Sequence, residues 1–174
     1  MKNLSSPEPI GLSHNLSGFD CGSTPLNEFL QLHALDKQNA KLSRTYVVTQ
    51  NSVVVGYYTL AHISLDSTIV PKNLGRGMPR SIPVILMARF AVDKSVQGQG
   101  LGRSLFVDAL VRIWSVVEKG AAPVRAFVVD AKDLQAKGFY ERFDMVAGPN
   151  DPMRLYMTYK KIKDTLEAAG YPGD

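Results

Sequence analysis

Near the middle of the chain, an apolar run, a glycine-rich turn and an amphipathic pattern follow one another. Residues 84–92 (Val-Ile-Leu-Met-Ala-Arg-Phe-Ala-Val) have the composition of a buried strand. After a polar turn at 93–96 come Gly98, Gly100 and Gly102. Apolar residues then recur at the spacing of one helix face. They are Leu101, Leu105, Phe106, Ala109, Leu110, Ile113, Trp114 and Val117. Strand, glycine turn and helix in this order predict an α/β fold with the turn at the helix N-terminus.

This turn predicts a site for a diphosphate. Unpaired amide N–H groups and the helix dipole both attract an anion at a helix N-terminus. Glycine allows positive φ and leaves no Cβ to hold a phosphate away from the backbone. In a Rossmann turn, G-x-G-x-x-G, the third glycine comes later than Gly102, and a Walker A loop needs a Gly-Lys pair that the chain lacks. The pattern that remains is Q-x-x-G-x-G, formed by Gln97, Gly100 and Gly102.

Length and composition predict one globular domain over residues 1–174. The chain is 45% hydrophobic and 21% charged, as in ordinary globular proteins. We expect no membrane association, since no apolar run approaches the ~18 residues of a membrane span and the N-terminus lacks the apolar core of a signal peptide. The lone Cys21 excludes an internal disulfide and fits a reducing cytoplasm. The three histidines lack ligand spacing, so we expect no structural metal. The net charge of +4 is mild but compatible with a polyanionic substrate.

In the N-terminal half, the sequence predicts a lead-in, a helix and two strands. The lead-in covers residues 1–15, with a short strand at 10–12. Thr24 is the expected N-cap and Pro25 the first residue of a helix running toward residue 42. Strands are expected at 45–49 and 53–63, joined by a polar turn. Gly56 inside the second strand indicates a bulge or a close backbone approach.

Residues 70–83 contain three prolines and two glycines, and we interpret them as a long loop. Long loops in compact domains are usually functional or disordered. This one carries Lys72, Arg76 and Arg80. They are candidates for contact with a polyanion.

The C-terminal half predicts further elements of a mixed sheet. Residues 124–130 form an apolar run typical of a buried parallel strand, and a short helix is expected at 133–142. A final strand is expected at 154–159. Beyond it lies a charged tail (161–174), with a helical pattern up to Ala169 that Gly170 and Pro172 end. Strands flanked by helices, without an internal repeat, predict an α/β domain with a mixed sheet.

Two motifs resemble the GNAT superfamily of N-acetyltransferases. The strand followed by Q-x-x-G-x-G is similar to the acyl-CoA pyrophosphate loop of that superfamily. Ala136, Phe139 and Tyr140 resemble its second signature, Ala-x-x-Phe-Tyr on a helix. Asp144 departs from the pattern, because the superfamily usually has glycine there. The resemblance implies a GNAT-like acyl-CoA N-acyltransferase fold, with acetyl-CoA as the co-substrate.

The N-terminal half resembles the toxin branch of these acetyltransferases. The similarity lies in residues 19–22 (Phe-Asp-Cys-Gly), in Leu-x-x-Phe-Leu at 26–30, in 56–60 (Gly-Tyr-Tyr-Thr-Leu), and in 79–83 leading into 88–93. Members of that branch acetylate the α-amino group of the amino acid on charged tRNA, which blocks translation. The resemblance implies a cytoplasmic toxin, a homodimer, paired with a ribbon-helix-helix antitoxin.

The resemblance also implies site residues. Tyr140 matches the position whose phenol protonates the leaving thiolate of CoA, and a backbone N–H near residues 90–92 would polarise the thioester carbonyl. Arg89, charged within an apolar strand, faces solvent, pairs with a carboxylate or holds a phosphate of the acceptor. With Lys72, Arg76 and Arg80 it makes up the candidate tRNA contacts. The expected acetyl-CoA contacts are Phe90, Ala91, Val92, Gln97, Gly98, Gln99, Gly100, Leu101, Gly102, Arg103 and Asp133.

The expected acceptor is an α-amine. An α-amino group has a pKa of about 7.7–8.0, whereas lysine, near 10.4, needs a dedicated base far more. The central strand carries no Glu or His that could be that base. Two alternatives stay open: a GNAT enzyme for a small amine or a protein N-terminus, and a module whose main act is to bind antitoxin and DNA. The intact glycine turn and Tyr140 argue against the second as the whole function.

Overall fold

The computed structural model describes residues 3–171. The chain divides into two compact units: unit 1 comprises residues 1–61 and 88–109, and unit 2 comprises residues 62–87 and 110–174. The strands are β1 Glu8–Pro9, β2 Arg44–Gln50, β3 Val53–Asp66, β4 Ser81–Val92, β5 Ala126–Asp130, β6 Val146–Ala147 and β7 Arg154–Thr158. The α-helices are α1 Thr24–Glu28, α2 Ala34–Asn39, α3 Lys72–Gly75, α4 Leu101–Glu118, α5 Leu134–Glu141 and α6 Tyr159–Ala168. Within residues 3–171, no helix has the length and apolarity to cross a membrane.

The strands form one mixed sheet in the order β1-β2-β3-β4-β5-β7-β6. β4 and β5 run parallel, with Val84 opposite Ala126 and Met87 opposite Val129. The pairs β1-β2, β2-β3, β5-β7 and β6-β7 are antiparallel. A mixed sheet with helices confirms the predicted fold class. The extent of a single domain over residues 1–174 stays a prediction.

In unit 1 the hairpin of β2 and β3 follows the sequence closely. Asn51 and Ser52 connect the strands, and both have positive φ, which fits the right-handed twist of a tight hairpin. The register shifts between Val48 and Thr49, opposite Gly56 and Val54, so a bulge lies there. A Cβ on Gly56 would come within 2.9 Å of Leu105 Cδ1 on α4. Gly56 therefore lies beside the bulge that the sequence indicated, and the Leu105 side chain packs closely on its backbone.

The N-terminal elements of unit 1 differ from the prediction in three respects. The first strand is β1, two residues before the expected 10–12, and the Ile10 N–H still donates to the Thr45 carbonyl (2.9 Å). The N-cap is Ser23 rather than Thr24, because the helix begins one residue earlier. Its middle, Phe29–His33, is π-helical, and α2 ends at Asn39, short of residue 42.

In unit 2 the segment 70–83 is not the long loop that we expected. Its first half folds into α3, where Leu74 is buried with Val70 and Ile82. A Cβ on Gly75 would lie 2.1 Å from the Ser67 carbonyl oxygen, so only glycine fits there. β4 already begins at Ser81. Apolar packing of alternate residues outweighs the breaking effect of the prolines and glycines.

The other elements of unit 2 lie near their predicted positions. β5 begins two residues later than expected, and α5 and β7 match within one residue at each end. β6, only two residues long, is too short to leave a pattern in the sequence. Most of the described part of the charged tail is α6, which buries Ile162 and Leu166. The predicted stop at Pro172 lies outside the described residues.

Candidate active site

The glycine turn in unit 1 has the conformation that its sequence demands. β4 ends at Val92, a short 3-10 turn covers Lys94–Val96, and α4 begins at Leu101. Gly98 and Gly100 have φ values of +73° and +87°, in the left-handed region that favours glycine. No atom lies within 4 Å of a Cβ built on either residue, so the backbone angle rather than crowding requires glycine. Residues 97–100 are exposed, leaving this backbone open to a ligand.

The first turn of α4 supplies the electrostatic part of an anion site. The Ser104 N–H donates to the Gly100 carbonyl (3.2 Å), so helical hydrogen bonding starts at Gly100. The N–H groups of a first helical turn have no carbonyl partner within the helix and carry the positive end of its dipole. Leu101 is buried and anchors this turn, whereas Arg103 is exposed on it.

The Gln97 side chain holds the glycine turn in place through two hydrogen bonds. Its side-chain amide donates to the Val92 carbonyl at 2.8 Å and to the Cys21 carbonyl at 3.2 Å. Both acceptors are carbonyl oxygens, so the NH₂ group must face them, and it has only two hydrogens. The Gln97 side chain thus fixes the start of the loop with its donors, while its backbone remains available to a phosphate.

The end of β4 presents one charged side chain. Arg89 is exposed; its guanidinium lies 4.9 Å from the Phe29 ring centroid and donates to the Ala88 carbonyl (2.6 Å). The Arg89 side chain is thus exposed, and its role stays a prediction. The next three residues are candidate acetyl-CoA contacts: Ala91 is buried, and Phe90 and Val92 are half-buried.

In unit 2, Tyr140 lies near the end of α5 and is 6% exposed. Its ring packs edge-to-face on Phe139, with centroids 5.3 Å apart. Burial, together with the negative charge of Asp133, raises the pKa of Tyr140 above the ordinary value for tyrosine. The phenol is therefore protonated at neutral pH and is a proton donor rather than a base.

Asp133, predicted to contact the cofactor, is the N-cap of α5. Its Oδ1 accepts from the Ala136 N–H at 2.7 Å, which satisfies one of the unpaired donors of the helix. This geometry gives Asp133 a structural role in orienting the helix that carries Tyr140.

The basic candidates of unit 2 are all exposed. Lys72 begins α3 and Arg76 follows its last residue. Arg80 pairs through Nε with Asp66 Oδ2 at 2.9 Å, although its side chain is 89% exposed. Arg89, the fourth candidate, belongs to unit 1. Within residues 3–171, the His, Cys, Asp and Glu side chains form no group of three that could hold a metal ion.

Comparison with known proteins identifies the family. The model of the acetyltransferase (GNAT) domain matches residues 41–144, more than half of the chain. The chain belongs to the GNAT family. It is also 34% identical over 163 residues to a tRNA-acetylating toxin of Mycobacterium tuberculosis, covering 94% of this chain and 97% of that protein.

Solved GNAT structures resemble the chain over nearly its whole length. One is AtaT complexed with acetyl-methionyl-tRNAfMet, with a TM-score of 0.83 and 28% identity, covering 94% of this chain and 99% of that one. Another is a tyrosine-to-phenylalanine mutant of the AtaT toxin, bound to the C-terminus of the antitoxin AtaR and to acetyl-CoA. Its TM-score is 0.80 at 27% identity, covering 95% and 99%. The fold is therefore that of GNAT toxins.

Asp144, the departure from the GNAT pattern, has a clear structural role. Its φ is +61°, so it adopts the left-handed conformation that explains a glycine at this turn. Asp is among the few residues that tolerate that region. Its carboxylate also pairs with Lys161 Nζ at 2.9 Å. The turn after α5 keeps its left-handed geometry without glycine.

The sequence analysis did not predict two residues that form hydrogen bonds just ahead of the glycine turn. The Asp20 N–H donates to the Asp93 carboxylate, and Asp20 also accepts from the backbone and side chain of Lys94. Both lie inside motifs that the sequence marks as similar to the toxin branch. Residues 20 and 93 are far apart in the chain, so no local pattern predicts their contact.

Proposed function

We propose that the protein is a toxin that transfers the acetyl group of acetyl-CoA to the α-amino group of the amino acid on charged tRNA, and so blocks translation. The observation that carries the proposal is the 34% identity to a tRNA-acetylating toxin, over 94% of this chain. GNAT family membership and the open glycine turn are consistent with acetyl-CoA as the donor.

In this proposal the turn of unit 1 binds the pyrophosphate of acetyl-CoA. The backbone of residues 97–103 offers N–H donors, two left-handed glycines allow close approach, and the dipole of α4 adds partial positive charge. Arg103, exposed on the first turn, adds a full charge. A backbone N–H of residues 90–92 polarises the thioester carbonyl, where negative charge develops during attack.

Tyr140 is the proposed general acid. The neutral amine attacks the thioester carbon, an N–C bond forms and the C–S bond breaks. The thiolate leaves with the electron pair and takes a proton from the Tyr140 phenol. The new amide loses its extra proton to water, and the Tyr140 phenolate regains a proton from water. A phenol whose pKa is raised by burial still carries its proton at neutral pH, as this role requires.

The exposed basic residues Lys72, Arg76, Arg80 and Arg89 are the proposed contacts for the tRNA backbone. Lys and Arg bind phosphates by charge, largely without reading the sequence. Their exposure leaves the charges open to a partner, and even Arg80, which pairs with Asp66, is 89% exposed.

The proposed assembly is a homodimer in the cytoplasm with a ribbon-helix-helix antitoxin. The resemblance to the toxin branch supports it, and the AtaT structure that contains part of the antitoxin AtaR supports an antitoxin as a partner. Light scattering of the purified protein should give twice the 19.1 kDa of one chain.

The direct test is transfer of label. Radiolabelled acetyl-CoA is incubated with the protein and total charged tRNA, beside uncharged tRNA, free amino acids and polyamines. Label should enter the charged tRNA alone and leave it as an N-acetyl amino acid after mild alkaline hydrolysis of the ester. Label in free amines instead would favour the small-amine alternative, and absence of transfer to any acceptor would contradict the proposal.

A further inference from the structure

The segment 19–22 lies directly against the turn that leads into the glycine loop, and the backbone of residue 20 forms the contact. The Asp20 N–H donates to Asp93 Oδ2 at 2.8 Å, and the Lys94 N–H donates to the Asp20 carbonyl at 2.9 Å. Residue 20 therefore bonds to two consecutive residues of the turn after β4.

The Asp20 side chain holds its own segment in the shape that makes this contact. Its Oδ1 accepts from the Gly22 N–H (2.8 Å) and from Asn27 Nδ2 (3.0 Å). Its Oδ2 accepts from Lys94 Nζ at 2.8 Å. One carboxylate thus connects the segment, Asn27 of α1 and the turn.

Asp93 completes the connection from the other side. Its Oδ1 accepts from the Ser95 N–H (2.9 Å) and the Ser95 hydroxyl (2.7 Å), which shapes the 3-10 turn. Its Oδ2 is the acceptor for Asp20. Gln97 then adds its bond to the Cys21 carbonyl. All these residues belong to unit 1.

We propose that Asp20 and Asp93 are positioning residues for acetyl-CoA, holding residues 93–97 so that the glycine loop enters in its pyrophosphate-binding conformation. This inference rests on the proposed function. Gly98 and Gly100 have no side chains and open space at their Cβ positions, so these two residues add no side-chain packing to the loop. Glycines lose more conformational freedom on ordering than other residues. The contacts of Asp20 and Asp93, together with the Gln97 bonds, supply restraint at the start of the loop.

The most selective variant is Asp93→Asn. Asparagine caps a helical turn as well as aspartate does, so the bonds from Ser95 can persist. Its single oxygen cannot also accept from the Asp20 N–H, which then faces an NH₂ group. Asp20→Ala keeps the backbone N–H that donates to Asp93 but removes the carboxylate that holds segment 19–22 in shape, and so weakens the contact from the opposite side. The apparent Kd is the intrinsic Kd divided by the binding-competent fraction, so a fall of that fraction to a tenth raises the Kd for acetyl-CoA about tenfold.

The expected pattern of kinetic and binding constants distinguishes a positioning role from a general loss of structure. Calorimetry should show the weaker binding of acetyl-CoA in both variants. The kcat at saturating acetyl-CoA and the KM for charged tRNA should stay near wild-type values. Asp20→Asn keeps the Oδ1 acceptor and should recover most of the affinity. The Lys94 pair that it weakens is 59% and 51% exposed, and exposed pairs contribute little.

Asp66→Asn is the matched control in unit 2. Asp66 likewise accepts from a nearby backbone N–H and hydroxyl, those of Thr68, and pairs with a basic residue, Arg80. Its substitution should leave the Kd for acetyl-CoA unchanged. An equal loss of affinity in this control would contradict a specific role for Asp20 and Asp93.

The melting temperature of each variant is measured to show that it folds. If Asp93→Asn does not fold, the affinities of Asp20→Ala and Asp20→Asn for acetyl-CoA test the inference. Wild-type affinity for acetyl-CoA in folded Asp93→Asn and Asp20→Ala would overturn the inference. A loss confined to kcat or to the KM for tRNA would overturn it as well. A wild-type protein that does not bind acetyl-CoA would instead overturn the proposed function.

Discussion

Asp133, at the start of α5, lies close enough to Tyr140 that its charge adds to burial in raising the pKa of the Tyr140 phenol. Burial first, and then the Asp133 charge, make the Tyr140 phenol hold its proton to a higher pH than an ordinary tyrosine. This state suits a group that gives a proton to a leaving thiolate, because a donor must still hold its proton when the bond breaks.

Tyr140→Phe keeps the ring and its packing on Phe139 but removes the proton. We expect normal folding, unchanged affinity for acetyl-CoA, and a fall in kcat of about 10²–10⁴-fold. Equal losses in kcat and kcat/KM would mark an interaction made only in the transition state. Steady-state kinetics and thermal melting measure these quantities.

The matched control is Tyr156→Phe, which removes another buried phenol of unit 2, 2% exposed, from β7. Its kcat should stay near the wild-type value. In cells, Tyr140→Phe should be tolerated where the wild type arrests growth. If Tyr140→Phe retains most of its turnover and only Tyr140→Ala is impaired, through the cavity it leaves, the tyrosine has a packing role.

We expect kcat/KM for charged tRNA to rise with pH and then level off, without a decline up to pH 9.5. The attacking amine is active when neutral, so kcat/KM for charged tRNA should rise about tenfold per unit below an amine pKa of about 7.7–8.0 and then level off. Burial raises the pKa of Tyr140, so its proton is lost only above the ordinary tyrosine value of about 10. Initial rates between pH 6 and 9.5 test this. A decline between pH 8 and 9.5 would mean that another group is the acid.

The glycine loop makes a prediction about the donor. Gly100→Glu introduces a negative charge and a side chain at a residue with φ +87°, where the pyrophosphate should lie. The affinity for acetyl-CoA, measured by calorimetry, should be lost while the fold persists. Gly120→Glu is a matched control, since Gly120 also has positive φ (+64°) and open space around its Cβ. Unchanged affinity in folded Gly100→Glu would show that the pyrophosphate binds elsewhere.

Local signals in the sequence predicted the strand, turn and helix at the glycine loop because period, composition and backbone demands agree there. The helix of residues 133–142 was predicted for the same reason. The errors come where distant contacts decide. Pro9 joins an edge strand because β2 offers it a partner, and α3 forms in the proline-rich segment because Leu74 is buried.

In the candidate site, too, local motifs were predictable and contacts between distant residues were not. Gly98, Gly100 and Tyr140 stand in recognisable local motifs. The hydrogen bond between Asp20 and Asp93 joins residues 73 positions apart, and nothing local marks it. Asp144 could have been anticipated only by asking which residue besides glycine tolerates a positive φ.

Asp144 gives a prediction about stability. Asp144→Ala forces a residue with a Cβ and no local hydrogen-bonding side chain to keep φ near +61°, which should lower the free energy of unfolding by about 1 kcal/mol. Asp144→Gly should be nearly neutral. Lys161→Met isolates the exposed ion pair, whose contribution should be at most about 1 kcal/mol. Urea denaturation measures all three, and a larger loss in Asp144→Gly than in Asp144→Ala would contradict the conformational argument.

The basic residues of unit 2 make a prediction about the acceptor. Replacing Arg76 and Arg80 with Glu should raise the KM for charged tRNA and leave the Kd for acetyl-CoA unchanged. Each neutralised phosphate contributes roughly 0.7–0.9 to the slope of log affinity against log salt, so the variant should lose about 1–2 units of slope. The structural cost is small, because the Arg80 side chain is 89% exposed and its pair with Asp66 is a surface pair.

A second double variant with the same change of net charge tests whether the positions of Arg76 and Arg80 matter, or only the total charge of the protein. Lys119 and Lys160 are exposed basic residues of unit 2 outside the proposed tRNA contacts, and their double replacement by Glu shifts the charge equally. Filter binding of charged tRNA across a salt series should show the loss only for Arg76 and Arg80. If both double variants lose affinity alike, the tRNA senses the overall charge of the protein. If neither does and binding is independent of salt, these arginines do not contact the tRNA backbone.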